Sequence, residues 1–405
     1  MYRVTLTVFL LGLMCGWGGF SPLSAQGAAP LISIVKEGTD KASVSLAGLT
    51  AAGPNGRYFI QTLTRDLQVS GWFKLGQTGS IQVRGQIGEA GSGIQSRCEV
   101  SWPGKRFAWN RVSAGEREIR MQAHQLADEM VKLIVGETGF AQSKIVFVNR
   151  RGKNNADLYQ CDANGMALVQ LTRDNVAAVG PRWAPNGKDI YYTSFLRNYP
   201  AIYRLSPSTG TRKALAPFPG LNTGGAVSPD GSSLALILSY QGNAELYILK
   251  LASGTLVRLT NTPQGSEASP CWSPDGRSIA YVSDVGSRKP QIYVVDVATR
   301  QSRRLTTTGE ENVNPDWSKK GLIAYATKRG GAYQIATMDP RVGDRSSRLV
   351  AGPRGSCEHP SWAPDSRHIV CSCGSALYML DTEGDPAILL FNTPGNWMSP
   401  DWSDR

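Results

Sequence analysis

A motif of fifteen residues recurs along the chain at a nearly constant interval. At 270–284 it reads PCWSPDGRSIAYVSD, in which a Pro and a Trp precede a Pro-Asp-Gly turn and a run of β-forming residues. Equivalent anchor positions follow one another at spacings of 44, 45, 45, 45 and 40 residues, and they are Trp183, Val227, Trp272, Trp317, Trp362 and Trp402. A repeat of this length built from short strands is typical of a β-propeller, with one blade per repeat.

Each repeat contains four segments that favour strands. The first carries the Pro-x-Trp motif, and a dipeptide such as Asp275-Gly276 makes the tight turn after it, because Gly accepts a positive φ. A second strand follows the turn, a third is centred on a pair such as Ile292-Tyr293, and a fourth ends at a Leu such as Leu305. Four strands are the normal content of a propeller blade.

The two ends of the repeat array are incomplete in complementary ways. Residues 145–172 supply strands two to four of a blade without a Pro-x-Trp strand, whereas 400–403 is a first strand with nothing after it. Together they make one blade, and a closed ring leaves no sheet edge unpaired. The sequence therefore predicts a mainly β fold, in which residues 141–405 form a six-bladed β-propeller whose C-terminal strand closes the ring.

The repeated residues themselves are expected to be scaffold. One aromatic residue at the same place in successive repeats indicates packing between adjacent blades. The Pro-Asp-Gly carboxylates are expected to form turns, and because no Asp-x-Asp or Glu-x-x-His cluster accompanies them, we predict no metal and no cofactor. The cysteine spacings fit no zinc site, and no disulfide is assigned, since Cys371 and Cys373 lie two apart on one strand.

The segment at 26–140 has no repeat and mixes two kinds of periodicity. Strand-like segments are Leu31–Lys36, Ala42–Leu46, Ile81–Ile87, Ile94–Trp102 and Arg106–Val112. Apolar residues recur at helical spacing in Arg57–Ser70 and in Gln122–Val135, and Gly136 ends the second helix. These patterns predict a small α/β domain. We expect His124 and Asp128 to lie on a solvated helix face in mutual i, i+4 contact.

The first 25 residues resemble a secretory signal peptide. Arg3 precedes an apolar run, and Leu23-Ser24-Ala25 offers a cleavage site after Ala25. The apolar stretch is short and interrupted, so it would span a bilayer poorly. The sequence therefore predicts that the mature chain is exported. The net charge of +11 is scattered, with no clustered basic motif, which disfavours nucleic-acid binding.

An exported chain with a small α/β domain and six such blades resembles the TolB family of the Tol-Pal system. The stretches that carry the resemblance cover nearly the whole mature chain; they are Gly53–Leu75, Ala123–Gly136, Lys144–Val148, and Phe218–Gly220 leading into the turn at 228–231. The resemblance implies a monomeric protein-binding scaffold rather than an enzyme. In the family, the propeller mouth receives the peptidoglycan-associated lipoprotein Pal, and the N-terminal segment engages the inner-membrane protein TolA.

This resemblance also implies a role in outer-membrane integrity and in constriction during cell division, with other outer-membrane lipoproteins as further candidate partners. We predict the binding site in the loops just before each Pro-x-Trp strand, which should gather at one end of the ring. Their chemistry is polar and varied, and loops on a rigid frame are the usual place for recognition. The predicted contact residues are Asn222, Thr223, Glu267, Ala268, Asn312, Asn314, Glu358 and His359.

Two alternatives in the envelope stay open. A propeller hydrolase would need a Gly-x-Ser-x-Gly elbow and a downstream His, and none of His124, His359 and His368 belongs to an evident triad. A lyase or sugar-binding propeller would need paired carboxylates or stacked aromatic residues at the mouth. The sequence offers Glu267, Glu358 and Trp397 there without clear pairing.

Overall fold

The structure, a computed structural model, describes residues 41–91, 93–216, 218–286 and 288–404. Within these ranges a small α/β region precedes a six-bladed β-propeller, and both belong to one compact unit. The predicted signal peptide at 1–25 and the predicted strand at 31–36 lie outside the described residues. In the part of the chain that is described, no helix has the length and apolar character needed to cross a membrane.

The N-terminal region is a five-stranded sheet with two helices. Its elements are β1 (Ala42–Ala51), α1 (Gly53–Val69), β2 (Phe73–Gly76), β3 (Ile81–Ala90), β4 (Gly93–Trp102), β5 (Lys105–Ser113) and α2 (Glu116–Met130). The sheet order is β2-β1-β3-β4-β5, with β1 parallel to both of its neighbours and the remaining pairs antiparallel. A π-helical turn, Val131–Val135, extends α2 to Gly136, whose φ of 85° ends the helix as the sequence predicted.

Local sequence explains both helices. Pro54 lies in the first turn of α1, where its missing N–H would have had no intrahelical partner. Phe59 and Leu63 of α1, together with Ile119 and Leu126 of α2, are fully buried in the core shared with the sheet. The helical periodicity seen in the sequence is therefore the stripe that packs on the sheet.

Six four-stranded antiparallel sheets form the propeller. Blade 1 contains β29 (Trp397–Trp402), β6 (Lys144–Gly152), β7 (Asn155–Asp162) and β8 (Val169–Gln170). Blade 2 contains β9 (Ala178–Trp183), β10 (Ile190–Ser194), β11 (Ala201–Leu205) and β12 (Arg212–Ala216). Blade 3 contains β13 (Asn222–Val227), β14 (Ser233–Leu238), β15 (Glu245–Lys250) and β16 (Leu256–Arg258).

The remaining blades repeat this order. Blade 4 contains β17 (Glu267–Trp272), β18 (Ser278–Ser283), β19 (Gln291–Asp296) and β20 (Ser302–Arg304). Blade 5 contains β21 (Asn312–Trp317), β22 (Ile323–Arg329), β23 (Ala332–Met338) and β24 (Arg348–Leu349). Blade 6 contains β25 (Cys357–Trp362), β26 (His368–Cys373), β27 (Ala376–Asp381) and β28 (Ile388–Leu389). Because β29 pairs with β6, the C-terminal strand closes the ring, which confirms the prediction from the sequence.

The core of the propeller lies between its blades. Each pair of neighbouring blades encloses an apolar cluster. The motif tryptophans take part in five of these clusters, which confirms their packing role; they are Trp183, Trp272, Trp317, Trp362 and Trp402. Each blade is therefore held mainly by its neighbours, and the ring depends on having all six.

A disulfide joins Cys357 at the start of β25 to Cys373 at the end of β26. The sequence analysis assigned no pairing, because the two cysteines become neighbours only through the register of these strands. In blade 4 the same cross-strand position holds Glu267 and Ser283, which form a hydrogen bond. The free thiols in the described residues are buried, and they are Cys98, Cys161, Cys271 and Cys371.

A buried ionic cluster attaches the N-terminal region to blade 1. His124 of α2 contacts Asp66 of α1 through Nδ1 at 2.7 Å and Asp162 of β7 through Nε2 at 3.1 Å. Burial opposes the charge, but hydrogen bonds to Asp162 and Asp66 raise the pKa of His124 to about 9. The expectation of a solvated His124 in contact with Asp128 is therefore wrong, because helical periodicity cannot show that a second domain covers this face.

A second cluster attaches the N-terminal region to blade 6. The Arg367 guanidinium pairs with Asp381 at 2.6 Å and lies over the Trp72 ring, 4.3 Å from its centre. Its Nη2 also donates to the carbonyl oxygen of Gly71 at 3.4 Å. Burial opposes protonation of His368, yet Asp365 and Asp381 raise its pKa to about 8. At this junction the charged Arg367 of blade 6 thus contacts an aromatic ring and a carbonyl oxygen of the N-terminal region.

Candidate functional site

The candidate site is the end of the ring at which the first strand of each blade begins, here called the mouth. Trp402, at the other end of its strand, donates from Nε1 to Ser143 Oγ at 2.7 Å, close to where the N-terminal region joins. Lys320, in the turn after β21, pairs with Glu137 just beyond α2 at 3.4 Å. The described part of the N-terminal region, from residue 41 onward, therefore lies on the face opposite the mouth and does not cover it.

All eight predicted contact residues lie on the first strands themselves. Asn222 and Thr223 begin β13, Glu267 and Ala268 begin β17, Asn312 and Asn314 belong to β21, and Glu358 and His359 belong to β25. Their prediction as loop residues is wrong in this respect, because the first strands start three residues before the Pro of the motif. Since the strand starts are equivalent, the eight residues do gather at one end of the ring.

A β-bulge at the third residue of every first strand explains this early start. Register shifts occur there in all six blades. The bulged residues have positive φ angles of 56°, 87°, 49°, 52°, 53° and 49°, and they are Gly180, Gly224, Ser269, Asn314, His359 and Ser399. Gly and Asn tolerate such a backbone well. Asn314 and His359 thus occupy positions that the backbone geometry of the mouth also constrains.

Three of the predicted residues are withdrawn from solvent. Asn222, Glu267 and Asn312 are only 0%, 2% and 1% exposed. The Asn222 amide donates to the Phe218 carbonyl at 2.6 Å, and the Asn312 amide donates to Gln291 Oε1 at 2.9 Å. Each of these side chains uses its polar atoms to hold the structure around the strand start. Thr223, Ala268, Asn314, Glu358 and His359 are half-buried and remain the accessible part of the set.

Glu267 forms a carboxyl pair with Glu245 of blade 3. The Thr262 hydroxyl donates to Glu267 at 2.8 Å, and Arg258 pairs with Glu245 at 2.9 Å. Burial, reinforced by the negative charge of Glu245, raises the pKa of Glu267 to about 7. Burial acts in the same sense on Glu245, but hydrogen bonds from Thr260, Thr262 and Arg258 lower its pKa overall. One proton therefore resides mainly on Glu267 below neutral pH.

We expect this proton to make stability depend on pH. The unfolded Glu loses its proton near pH 4.3, whereas folded Glu267 keeps it up to about pH 7, so stability falls as pH rises between these values. Replacing Glu267 with Gln should preserve the shape of the side chain and flatten that part of the profile. Melting midpoints from about pH 5 to pH 8 would measure it, with the exposed Glu89→Gln as control. A Glu267→Gln variant with the wild-type slope would contradict the assignment.

An ionic triad crosses the centre of the ring. Arg182 of blade 2 pairs through Nη1 with Asp316 of blade 5 at 2.9 Å and with Asp401 of blade 1 at 2.8 Å. Asp401 also accepts the backbone N–H of Trp183 at 2.6 Å, and Asp316 accepts that of Trp362 at 2.8 Å. Burial raises the pKa of Asp401 to about 6 despite the nearby Arg182. The triad therefore holds three blades together and lies across the ring below the mouth.

Of the predicted residues, His359 is the one whose side chain could in principle act as the base of a hydrolase. Burial and the positive charge of Arg182 lower its pKa to about 4, so its ring is neutral near pH 7. Its Nδ1 is 3.4 Å from the Ser372 hydroxyl, but that hydroxyl donates to the Glu358 carbonyl oxygen at 3.0 Å. The His359 and Ser372 side chains thus belong to the structure of the bulge, and the contact between them does not activate Ser372 as a nucleophile.

Acidic groups gather at the mouth in blades 5 and 6. Glu311, directly before β21, accepts a hydrogen bond from the Tyr333 hydroxyl and pairs with Lys328 at 3.0 Å. Burial, together with the negative charge of Glu311, raises the pKa of the half-buried Glu358. Glu311, Lys328 and Tyr333 were not among the residues predicted from the sequence, although Glu311 adjoins the predicted Asn312. The carboxylates in this half of the mouth can accept hydrogen bonds from a partner and form ion pairs with its basic side chains.

Comparisons with known proteins match this architecture over most of the chain. A family model described as TolB beta propeller domain matches residues 131–405. The Tol-Pal system protein TolB of Bordetella pertussis is 28% identical over 440 aligned positions, covering 89% of this chain and 95% of the relative. That of Bordetella parapertussis is 30% identical over 429 positions with the same coverage. The crystal structure of TolB from Acinetobacter baumannii superposes with a TM-score of 0.77 at 24% identity, covering 90% of this chain and 97% of that one.

Proposed function

Because the chain belongs to the TolB family of the Tol-Pal system, we propose that it is a periplasmic, non-enzymatic scaffold for protein binding. Its propeller mouth binds a Pal-like peptidoglycan-associated lipoprotein, and its N-terminal region engages a TolA-like inner-membrane protein. Such a scaffold supports outer-membrane integrity and constriction during cell division. The proposal includes removal of residues 1–25 on export and a division between N-terminal domain and propeller near residues 140–141.

The observation that carries the proposal is the uncovered mouth. The described part of the N-terminal region packs at the opposite face, so these residues leave the starts of the first strands accessible to a partner. The accessible residues there differ from blade to blade, from Thr223 and Ala268 to Asn314, Glu358 and His359. A rigid ring that presents unlike side chains in one place is suited to recognition of a specific protein surface.

Glu358 is the residue of the predicted set on which we test this proposal. It is half-buried and has the acidic Glu311 as a neighbour. We expect Glu358→Arg to weaken binding of a Pal-like lipoprotein about tenfold or more, because reversing a charge inside an interface leaves its partner group unpaired. Calorimetric titration of the purified lipoprotein into the variant would measure the change. The melting temperature should stay close to that of the wild type, because Glu358 forms no ion pair with a described basic residue.

The exposed Glu89 of β3 provides the matched control. Glu89→Arg makes the same charge change in the N-terminal region and should leave lipoprotein binding unaltered. Capture of a TolA-like protein should be the same for the wild type and Glu358→Arg, since blade 6 lies outside the N-terminal region proposed to engage it. Wild-type lipoprotein affinity in Glu358→Arg would move the binding site away from blades 5 and 6.

A further inference from the structure

Neighbouring hairpin tips of blades 1 and 2 expose an unusual combination of side chains on the mouth side of the ring. The β6–β7 tip carries Arg150, Arg151 and Lys153, all exposed. The β10–β11 tip carries five consecutive exposed residues, Phe195, Leu196, Arg197, Asn198 and Tyr199. The apolar members of that run, Phe195, Leu196 and Tyr199, are 37%, 42% and 39% exposed. We refer to these two tips as the blade 1–2 hairpins.

Backbone hydrogen bonds place the blade 1–2 hairpins side by side. The Ala156 N–H donates to the Val176 carbonyl at 3.3 Å, and the Phe195 N–H donates to the next carbonyl, that of Ala177, at 3.1 Å. The segment between the blades therefore touches both hairpins. Within the second tip, the Asn198 N–H donates to the Phe195 carbonyl at 2.9 Å, which closes a turn around Leu196 and Arg197.

Blade 3 continues the apolar part of this surface. Leu221 and Tyr240 are 38% and 37% exposed, and the Tyr240 ring stacks on Phe218 at 5.5 Å. Eleven large apolar side chains of the described residues are exposed, and five of them lie on the mouth side of blades 2 and 3. Single exposed apolar residues are common on soluble proteins, but a concentration of this kind marks an interaction surface.

The charge of this surface is positive. Arg150, Lys153 and Arg197 form no ion pair with any carboxylate in the described ranges, whereas Arg151 pairs with Asp157. The half-buried acidic residues Glu311 and Glu358 lie on the other half of the mouth, in blades 5 and 6.

We propose that the blade 1–2 hairpins dock on an anionic phospholipid bilayer. Aromatic and aliphatic side chains at a loop tip can enter the headgroup region, where Tyr and Phe are favoured. Cations beside them are attracted to the negative lipid surface, and each strengthens binding severalfold. Exposed apolar side chains on hairpin tips beside such cations match the apolar and anionic layers of such a bilayer surface. This inference goes beyond the proposed lipoprotein contact, since it needs no protein partner.

Co-sedimentation with vesicles tests the proposal directly. We expect the purified protein to bind vesicles of equal parts phosphatidylglycerol and phosphatidylcholine, and to bind pure phosphatidylcholine much more weakly. A triple variant, Phe195→Ser, Leu196→Ser and Tyr199→Ser, should bind the anionic vesicles at least about tenfold less. A second variant, Arg150→Gln with Lys153→Gln, keeps the paired Arg151 and should lose affinity to a similar extent.

The chain offers a matched control at the far side of the ring. Leu322, Val342 and Leu349 are 37%, 47% and 49% exposed, so replacing all three with Ser removes a comparable amount of exposed apolar surface. This control should bind anionic vesicles as the wild type does. Melting curves of each variant verify folding, and the charge variant alters only side chains that are exposed to solvent.

Two outcomes would overturn the proposal. Failure of the wild type to bind anionic vesicles better than neutral ones would exclude a role for lipid. If both hairpin variants bound anionic vesicles as tightly as the wild type, the lipid contact would lie elsewhere. If the triple variant then no longer bound a Pal-like lipoprotein, the exposed apolar surface would serve protein recognition. Loss of lipoprotein binding by Glu358→Arg is measured separately, so the two proposals succeed or fail independently.

Discussion

Removal of residues 396–405 should leave a chain that is largely insoluble. The deletion takes away β29, which contains Trp397 and Trp402 at 3% and 5% exposure. A buried Trp withdraws 150–250 Å² from water, so at about 25 cal/mol per Å² the two together contribute roughly 8–12 kcal/mol. Whole domains are stable by only about 5–15 kcal/mol. The soluble fraction after expression, followed by circular dichroism of any soluble material, measures the effect.

The lost strand also carries specific contacts that no other segment supplies. The Trp397 ring packs edge-on against Phe147 at 5.4 Å and Tyr159 at 5.2 Å, both in blade 1. Asp401 accepts the backbone N–H of Trp183 in blade 2. Deleting only residues 404–405 spares these contacts and should leave the melting curve unchanged. A soluble protein without 396–405 that still melted cooperatively would show that the ring can close without this strand.

Replacing His124 with Ala should destabilise the protein by about 3–5 kcal/mol. The substitution leaves the buried Asp66 without its imidazolium partner, whereas Asp162 keeps its ion pair with Arg120 at 2.7 Å. Removing one partner of a buried ion pair is costly because the remaining charge keeps its desolvation penalty. Urea denaturation would measure the difference in unfolding free energy. Arg117→Ala, an exposed position on the same helix, is the control and should change stability by less than about 0.5 kcal/mol.

The pH dependence of this difference separates a charge effect from a packing effect. The pKa of folded His124 is about 9, whereas that of the unfolded residue is 6.5. The stabilisation by the charged imidazolium is therefore complete below about pH 6.5 and is lost as the pH rises through about 9. The gap between wild type and His124→Ala should therefore narrow in alkaline solution. A gap that stayed constant to high pH would identify His124 as a packing residue only.

The parts of the fold that repeat could be predicted, and for a physical reason. Trp272 and its equivalents each meet the same neighbour surface, so one residue type solves the same packing problem in each repeat. Asp275-Gly276 marks a turn that local backbone preference alone determines. Closure followed from counting strands at the two ends. Each of these inferences needed only local sequence or its repetition.

The chemistry of the mouth could be predicted only in part. Glu267 and Asn312 occupy a position whose residue type differs from blade to blade, as expected of recognition residues. Both are nevertheless buried, and each bonds to a residue on another strand, Ser283 or Gln291. The same cross-strand register creates the disulfide between Cys357 and Cys373. Such contacts depend on which residues face each other across strands, and the bulge shifts that register. Burial of His124 likewise required knowledge of how two domains meet.

The ionic triad lies across the middle of the ring, between its two faces. Arg182 belongs to blade 2 and Asp316 to blade 5, which are diametrically opposed among six, so one ion pair of 2.9 Å spans the channel. Arg182 is the fifth residue of its strand, and at about 3.3 Å per residue it lies roughly 13 Å below the strand start. A peptide end that enters from the mouth meets a guanidinium at that depth. A partner segment that enters from the mouth therefore has to pass this ion pair before it can reach the opposite face of the ring.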